Sequence, residues 1–263
     1  MKVGFIGCGN MGGALARAVA KAGYEIYLAD RNEQKAKELS VLTGGKIADS
    51  AIICRECDFV FLGVKPNGLD SLIEEIKEVC ILYRPTLVSM LAGVSIKRIT
   101  SLLGEETDVI RIMPNTPVLC GEGLVLISAE KRIGKDKTDQ LTEMLKLAGK
   151  CEVIDESLID AASAVSGSGP AFFYQFIESV ALGGVKSGLG YEEALRYATL
   201  CAKGAAVMLL TEGKTPTTLT KEVCSPGGST IEGIAVLEKE GLADITGRAV
   251  VATYKKAKTL GQG

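Results

Sequence analysis

The chain has 263 residues, of which 47% are hydrophobic and 24% are charged, with a net charge of −2 and no histidine. This composition is typical of a folded globular protein, and without a basic stripe or a long apolar run it predicts neither a nucleic-acid partner nor a membrane span. The lack of histidine excludes Ser-His-Asp and Cys-His catalysis, so protons must come from hydroxyls, Lys, Tyr, Cys, carboxyl groups or water.

The first predicted element is a strand, Val3–Ile6, which is followed by a glycine turn and an amphipathic helical stretch over residues 14–22. In this order Gly7 permits a tight turn, Gly9 lets a pyrophosphate approach the backbone, and Gly12 lets the helix pack on the strand. Amides at the start of the helix then face the phosphates. The predicted dinucleotide contacts in this turn are Gly7, Gly9, Asn10, Met11 and Gly12.

The second predicted strand is Glu25–Ala29, and Asp30 follows it directly. A carboxylate at this place favours a free ribose 2′-hydroxyl and repels a 2′-phosphate. Arg31 and Asn32 follow at once and can hold that phosphate. The choice between NADPH and NADH therefore stays open, with NADPH the expected cofactor and NADH the alternative.

Strands and helices continue to alternate, which predicts a doubly wound, mostly parallel sheet. Two strand ends carry polar residues that would face the ligand crevice: Val64-Lys65-Pro66 and Asn115-Thr116. We expect Lys65 to meet the cofactor or an anionic substrate, and Asn115 and Thr116 to orient the nicotinamide. The alternatives are a solvated Lys65 and a turn that Pro114 and Pro117 merely fix. The further predicted strands are residues 59–64, 86–90, 109–113, 123–127 and 151–154.

From Glu156 onward the pattern predicts helices alone, rich in Ala and Gly. We therefore predict a dinucleotide-binding domain over residues 1–155 and an all-helical domain over 156–263. Two Gly-rich turns in the helical half, Ser166–Ala171 and Ser225–Thr230, place hydroxyls and bare amides before a helix. Such a turn either cradles an anion or only caps its helix, and the residues alone leave both readings open.

The 8 cysteines are scattered, and Cys54 and Cys57 form one C-x-x-C. A zinc site needs four ligands at known spacings, so we expect no metal and instead small buried residues on a helix. The apolar N-terminus is interrupted by glycines and does not resemble a signal peptide. Free thiols in a cytoplasmic protein are the expectation.

These segments together resemble pyrroline-5-carboxylate reductase, the family that catalyses the last step of proline synthesis. The segments that carry the resemblance are the glycine turn 7–12, Val64-Lys65-Pro66, the run RIMPNTP at 111–117, residues 160–171, and VCSPGGSTIEGIAVL at 223–237. The resemblance implies a Rossmann domain and a helical dimerisation domain. It also implies an active site where the two meet near the dimer contact, and a homodimer or larger homo-oligomer.

The resemblance also implies roles for individual residues. Ser225 and Thr230 would be catalytic, with Thr230 or a water it orders as the proton donor. Ser50 stands where many members of the family carry Asn near the adenosine. The substrate-binding residues would be Ser225, Gly227, Gly228, Ser229 and Thr230. The cofactor-binding residues would be those of the glycine turn with Asp30, Arg31, Asn32, Ser50, Val64, Lys65, Pro66 and Asn115.

Two alternatives fit the same outline. One is a β-hydroxy-acid dehydrogenase, which would place a catalytic lysine in the helical half; Lys186 and Lys203 are available, but neither lies beside a Gly-rich turn. The other is a non-catalytic dinucleotide sensor, which would not need a second anion cradle at residues 225–230.

Overall fold

In the computed structural model, which describes residues 1–260, the first part of the chain forms one eight-stranded sheet. The strands are β1 (Lys2–Ile6), β2 (Glu25–Ala29), β3 (Lys46–Ile47), β4 (Phe59–Leu62), β5 (Thr86–Ser89), β6 (Val109–Met113), β7 (Gly123–Ala129) and β8 (Gly149–Val153). Their order across the sheet is β3-β2-β1-β4-β5-β6-β7-β8. Neighbouring strands are parallel except β6 and β7, which pair antiparallel.

Helices connect the strands, because a parallel pair requires a crossover. The connecting helices are α1 (Asn10–Lys21), α2 (Glu33–Thr43), α3 (Ser50–Glu56), α4 (Leu69–Tyr83), α5 (Ile96–Leu103) and α6 (Lys135–Met144), and α7 (Ile159–Ser166) follows the last strand. The central strand β4 is apolar without interruption because both of its faces are buried. Phe59 and Phe61 of β4 join one core with α1, whereas Val60 and Leu62 join a second core with α3 and α4.

The chain divides into two compact units. The first comprises Met1–Ser168 together with the described residues from Thr253 onward, and the second comprises Gly169–Ala252. The helices in and beyond the second unit are α8 (Gly169–Lys186), α9 (Tyr191–Thr211), α10 (Pro216–Val223), α11 (Ser229–Lys239) and α12 (Leu242–Leu260).

The second unit has a core of small residues. Ala181, Ala194 and Ala198 are buried between α8 and α9, and a Cβ added to Gly184 would lie 3.2 Å from the Cβ of Ala194. The two helices therefore approach closely because their facing residues are small. Large apolar side chains stay outside this core: Phe173, Tyr174, Phe176, Leu200 and Leu210 are exposed. So much exposed apolar surface is typical of an interface with another protein surface.

The predicted fold class, a mostly parallel Rossmann sheet followed by helices, is confirmed. Strand β3 was not predicted, because its two exposed residues are too few to show a hydrophobic period. The helix expected around Cys54 and Cys57 is α3, in which Cys54 is buried and which Cys57 ends as the C-cap. The predicted domain limits, 1–155 and 156–263, stay a prediction, and residues 261–263 of the second lie outside the described residues.

Candidate functional site

The glycine turn between β1 and α1 has three glycines with different surroundings. A Cβ added to Gly7, whose φ is +107°, would lie 2.5 Å from the carbonyl carbon of Gly63, and one added to Gly12 would lie 2.1 Å from the carbonyl oxygen of Gly7. A Cβ added to Gly9 would meet no atom of the described residues within 4 Å. Packing within the protein thus explains the first two glycines, while Gly9 borders open space that a ligand can approach.

The N-terminus of α1 begins at this open side. Gly9 is the N-cap with φ −68° and ψ −173°, and no side chain caps the helix. No acidic residue lies in the first turn of α1 either. The first amides of α1, among them those of Asn10 and Met11, are therefore donors for an anion, supported by the helix dipole.

The end of β2 lies beside the glycine turn. The amide of Gly7 donates to the carbonyl of Ala29 at 2.7 Å. The Asp30 carboxylate accepts a hydrogen bond from the Cys8 amide at 2.6 Å and one from the Asn32 amide at 2.8 Å. Burial and the Asp30 charge raise the pKa of the Cys8 thiol to about 12, against a lowering influence of Lys35. Cys8 is therefore a neutral packing residue of the turn.

Arg31 and Asn32, which follow Asp30, direct their side chains to α4 and α2, respectively. The Arg31 guanidinium is exposed, and its Nη2 donates to the Ser71 hydroxyl on α4 at 2.8 Å. The Asn32 side chain accepts from the Gln34 amide at 3.1 Å and so caps α2. The residue directly after Asp30 thus presents an exposed guanidinium, a group that binds phosphates well.

The third predicted segment follows β4. Val64 is half-buried, and Lys65 is an exposed residue just before the 3₁₀ helix Pro66–Gly68. Ser50 is buried as the first residue of α3, three residues after the end of β3. These residues lie at the carboxyl ends of parallel strands, where ligands of doubly wound sheets bind. Their contacts with a cofactor stay a prediction.

Asn115, which lies just after β6, joins two segments of the chain through its side-chain amide. Its side-chain amide donates to the Ser166 carbonyl at 3.0 Å, and its side-chain oxygen accepts from the Leu124 amide at 2.9 Å. The residue therefore ties the last turn of α7 to the start of β7. Its predicted contact with the nicotinamide stays a prediction, and both ends of the amide already have a partner.

Arg111 is a buried charge on β6. Its Nη2 lies 3.0 Å from Asp160 Oδ1 and its Nη1 lies 3.4 Å from Glu156 Oε1. Glu156 Oε1 also accepts from the amide of Ile96 at the start of α5, at 2.8 Å. Within the described residues the Arg111 Nε has no hydrogen-bond partner. The ion pairs fix the start of α7 against β6, because a buried guanidinium must keep its carboxylates.

The second predicted site lies in the second unit. Gly227, with φ +70°, turns the chain back so that the amide of Gly228 donates to the Ser225 carbonyl at 3.0 Å. Gly228 is the N-cap of α11 and no side chain caps this helix. Ser225, Ser229 and Thr230 are exposed. The turn therefore joins free helix amides with hydroxyls, which is a suitable cradle for an anion.

Sequence reasoning missed three residues that shape the site. Gly63 packs closely against Gly7 of the glycine turn. The signal for Gly63 in the sequence was a glycine directly after a buried strand. Asp160 forms an ion pair with Arg111. The lone charge of Arg111 inside an apolar strand signals that a carboxylate partner is needed, but it does not signal which one. Ser71 holds Arg31, and its position on α4 gives no signal in the sequence.

No described helix has the length and apolar character that a membrane crossing requires.

Comparison with known proteins identifies the family. Residues 156–260 match the family model for pyrroline-5-carboxylate reductase dimerisation, and residues 2–93 match the model for coenzyme F420-dependent NADP oxidoreductase. The pyrroline-5-carboxylate reductase of Aquifex aeolicus (strain VF5) is 35% identical, with 99% of this chain and 97% of the relative covered. That of Escherichia coli (strain K12) is 33% identical, with 98% of each covered.

Solved structures agree with the sequence relatives. The crystal structure of Plasmodium falciparum pyrroline carboxylate reductase with NADP bound has a TM-score of 0.87 and 30% identity, and the match covers 99% of this chain and 98% of that one. A pyrroline-5-carboxylate reductase from Coxiella burnetii has a TM-score of 0.91 and 28% identity, with 98% of each chain covered. The chain belongs to the pyrroline-5-carboxylate reductase family.

Proposed function

We propose that this chain reduces 1-pyrroline-5-carboxylate to L-proline with NADPH. The observation that carries the proposal is the open space at Gly9, before the uncapped N-terminus of α1, in a chain of this family. The residues there fit a dinucleotide: glycine where the pyrophosphate must approach, free amides for its charge, and an exposed guanidinium at Arg31.

When bound, NADPH supplies the hydride that the imine carbon accepts. The chain's part is to hold the dinucleotide by its phosphates. The α1 amides would bind the pyrophosphate, and Arg31 would bind the 2′-phosphate, with Ser71 holding its guanidinium in place. Val64, Lys65 and Pro66 at the end of β4, and Ser50 on α3, would line the remainder of the cofactor site.

The turn before α11 would hold the substrate. Amides at the start of α11 and the Ser225 hydroxyl would bind the substrate carboxylate, because they are donors without a side-chain cap to satisfy them. Gly227 and Gly228 keep this backbone free of side chains, and Ser229 adds a hydroxyl. The Thr230 hydroxyl, or a water that it orders, would hold the proton that the ring nitrogen needs as the hydride arrives.

We propose that the protein works as a homodimer or larger homo-oligomer in the cytoplasm. The dimerisation-family match over 156–260 and the exposed Phe173, Tyr174 and Phe176 support the oligomer. The cytoplasmic location rests on cysteines that are all free thiols, which a reducing compartment maintains. Neither nucleic acid nor membrane is proposed as a partner.

Purified protein with NADPH and 1-pyrroline-5-carboxylate tests the proposal. We expect NADPH absorbance to fall while L-proline accumulates in equal amount. Lys186→Ala and Lys203→Ala serve as controls, because a β-hydroxy-acid dehydrogenase that depends on either lysine would lose its activity in one of them. Binding of NADPH without any turnover would refute the proposal and support a dinucleotide sensor.

A further inference from the structure

Asp30 stands where an acidic residue normally accepts a hydrogen bond from the adenosine ribose and so favours NADH. In this structure each of its carboxylate oxygens already accepts a backbone amide. Oδ2 accepts from Cys8 at 2.6 Å, and Oδ1 accepts from Asn32 at 2.8 Å. Hydrogen bonds to an ionised acceptor are short and strong, so the Asp30 carboxylate holds the backbone amides of Cys8 and Asn32 in place at this corner.

The two amides belong to the two loops that would hold the phosphates of the cofactor. Cys8 lies between Gly7 and Gly9, so its bond to Asp30 fixes the plane of the glycine turn. Asn32 is the N-cap of α2 and follows Arg31, so its bond holds the segment that carries the guanidinium. One carboxylate therefore sets the distance between the pyrophosphate loop and the 2′-phosphate loop.

The charges around Asp30 also oppose discrimination against a 2′-phosphate. Two N–H dipoles point at the carboxylate, and the cationic side chains of Arg31 and Lys35 belong to the same corner. The guanidinium of Arg31 is turned toward Ser71 at 2.8 Å and makes no ion pair with Asp30 in the described structure. The guanidinium thus remains available to a phosphate.

We infer that Asp30 is a positioning residue: it joins the glycine turn to the Arg31 segment and supports binding of NADPH and NADH alike, instead of selecting NADH. The inference rests on the proposed function, since it concerns the cofactor of that reaction. It explains how a chain with an acidic residue at this strand end can use NADPH.

Asp30→Asn tests the inference, because an asparagine keeps one acceptor oxygen and turns a donor toward the second amide. We expect the dissociation constants of NADPH and NADH, measured by fluorescence titration, to rise together by about tenfold, since one charge-assisted hydrogen bond is lost. Their ratio should stay within about twofold of wild type. In the protein without nucleotide, hydrogen exchange at the Cys8 amide should become faster.

Asp30→Ser, whose short hydroxyl cannot reach both amides, is the second variant and should behave in the same way. Asp139→Asn on α6 is the matched control for loss of an exposed carboxylate, and it should leave both dissociation constants unchanged. A shift of the ratio toward NADPH by about tenfold or more in Asp30→Asn would show discrimination and overturn the inference. Unchanged dissociation constants with a lower melting temperature would overturn it as well, since the residue would then be merely structural.

The same titrations separate the inference from the proposed function. Wild-type protein that binds neither nucleotide would overturn both. Wild-type protein that binds both, with a changed ratio in the Asp30 variants, would overturn the inference alone.

Discussion

Gly9→Val should mainly weaken ligand binding, whereas Gly12→Ala should mainly destabilise the fold. A Cβ added to Gly9 meets no described atom within 4 Å, and the Gly9 backbone, with φ −68° and ψ −173°, is extended. Gly9 is also the N-cap of α1, where valine is a poorer residue than glycine, so we expect a stability loss of about 1 kcal/mol. The valine would also occupy the space that a pyrophosphate needs, so we expect the dissociation constant of NADPH to rise at least about a hundredfold, or about 2.8 kcal/mol.

Gly12→Ala adds only one methyl group, but that group would lie 2.1 Å from the carbonyl oxygen of Gly7. Neither atom is the end of a flexible side chain, so α1 must move away from β1. Overpacking of this kind costs about 1–3 kcal/mol. For a unit of this size each kcal/mol lowers the melting temperature by about 2–4 °C, so a loss of about 2–12 °C is expected.

Thermal melting without nucleotide and NADPH titration, both followed by fluorescence, measure the two effects in parallel. Gly9→Val should melt within about 4 °C of wild type and fail to bind, because its cost to folding is about 1 kcal/mol. Wild-type affinity in Gly9→Val would show that the cofactor does not approach this turn. A wild-type melting temperature in Gly12→Ala would refute the packing argument on which the assignment of the three glycines depends.

Three other predictions concern the remaining parts of the site. Arg31→Ala should weaken NADPH more than NADH, because only NADPH carries the phosphate that a guanidinium grips, and equal losses in titrations with both would contradict this. Light scattering at micromolar concentration should give at least twice the mass of one chain, and a monomer would contradict the oligomer. Ser225→Ala should mainly raise KM for the imine, whereas Thr230→Ala should lower kcat by roughly tenfold to a thousandfold with NADPH affinity unchanged. Steady-state kinetics that are normal in both variants would leave this turn as a plain helix cap.

The sequence predicted the parts of the fold that repeat a pattern. The strand Phe59–Leu62 is apolar without interruption because both of its faces are buried, and such an apolar run can be recognised from the local sequence alone. The glycine turn was also predictable, since the spacing of Gly7, Gly9 and Gly12 follows from the geometry of a strand, a turn and a helix. The structure adds that Gly63 is the neighbour which excludes a side chain at Gly7.

Contacts between segments that are distant in the sequence were not predictable. Arg111 pairs with Asp160, 49 residues later, and no local pattern links the two. The edge strand β3 has two exposed residues and, in the part of the chain that the structure describes, pairs with β2 alone, so its place depends on its neighbour and not on its own residues. The turn at Ser225–Thr230 was predictable as a helix start, but its ligand follows from the family and not from the spacing.

Asp30 and Asn115 show why the position of a polar residue does not reveal its partner. Both follow strands at the ligand edge of the sheet, and both were predicted to meet the cofactor. In the structure Asp30 accepts two backbone amides, and Asn115 joins the Ser166 carbonyl to the Leu124 amide. Loops at this edge leave backbone groups without partners in the sheet, and such groups must be satisfied by nearby side chains or water. A polar side chain there can therefore bind the ligand or hold the loop that binds it, and titration of variants with both nucleotides separates the two roles.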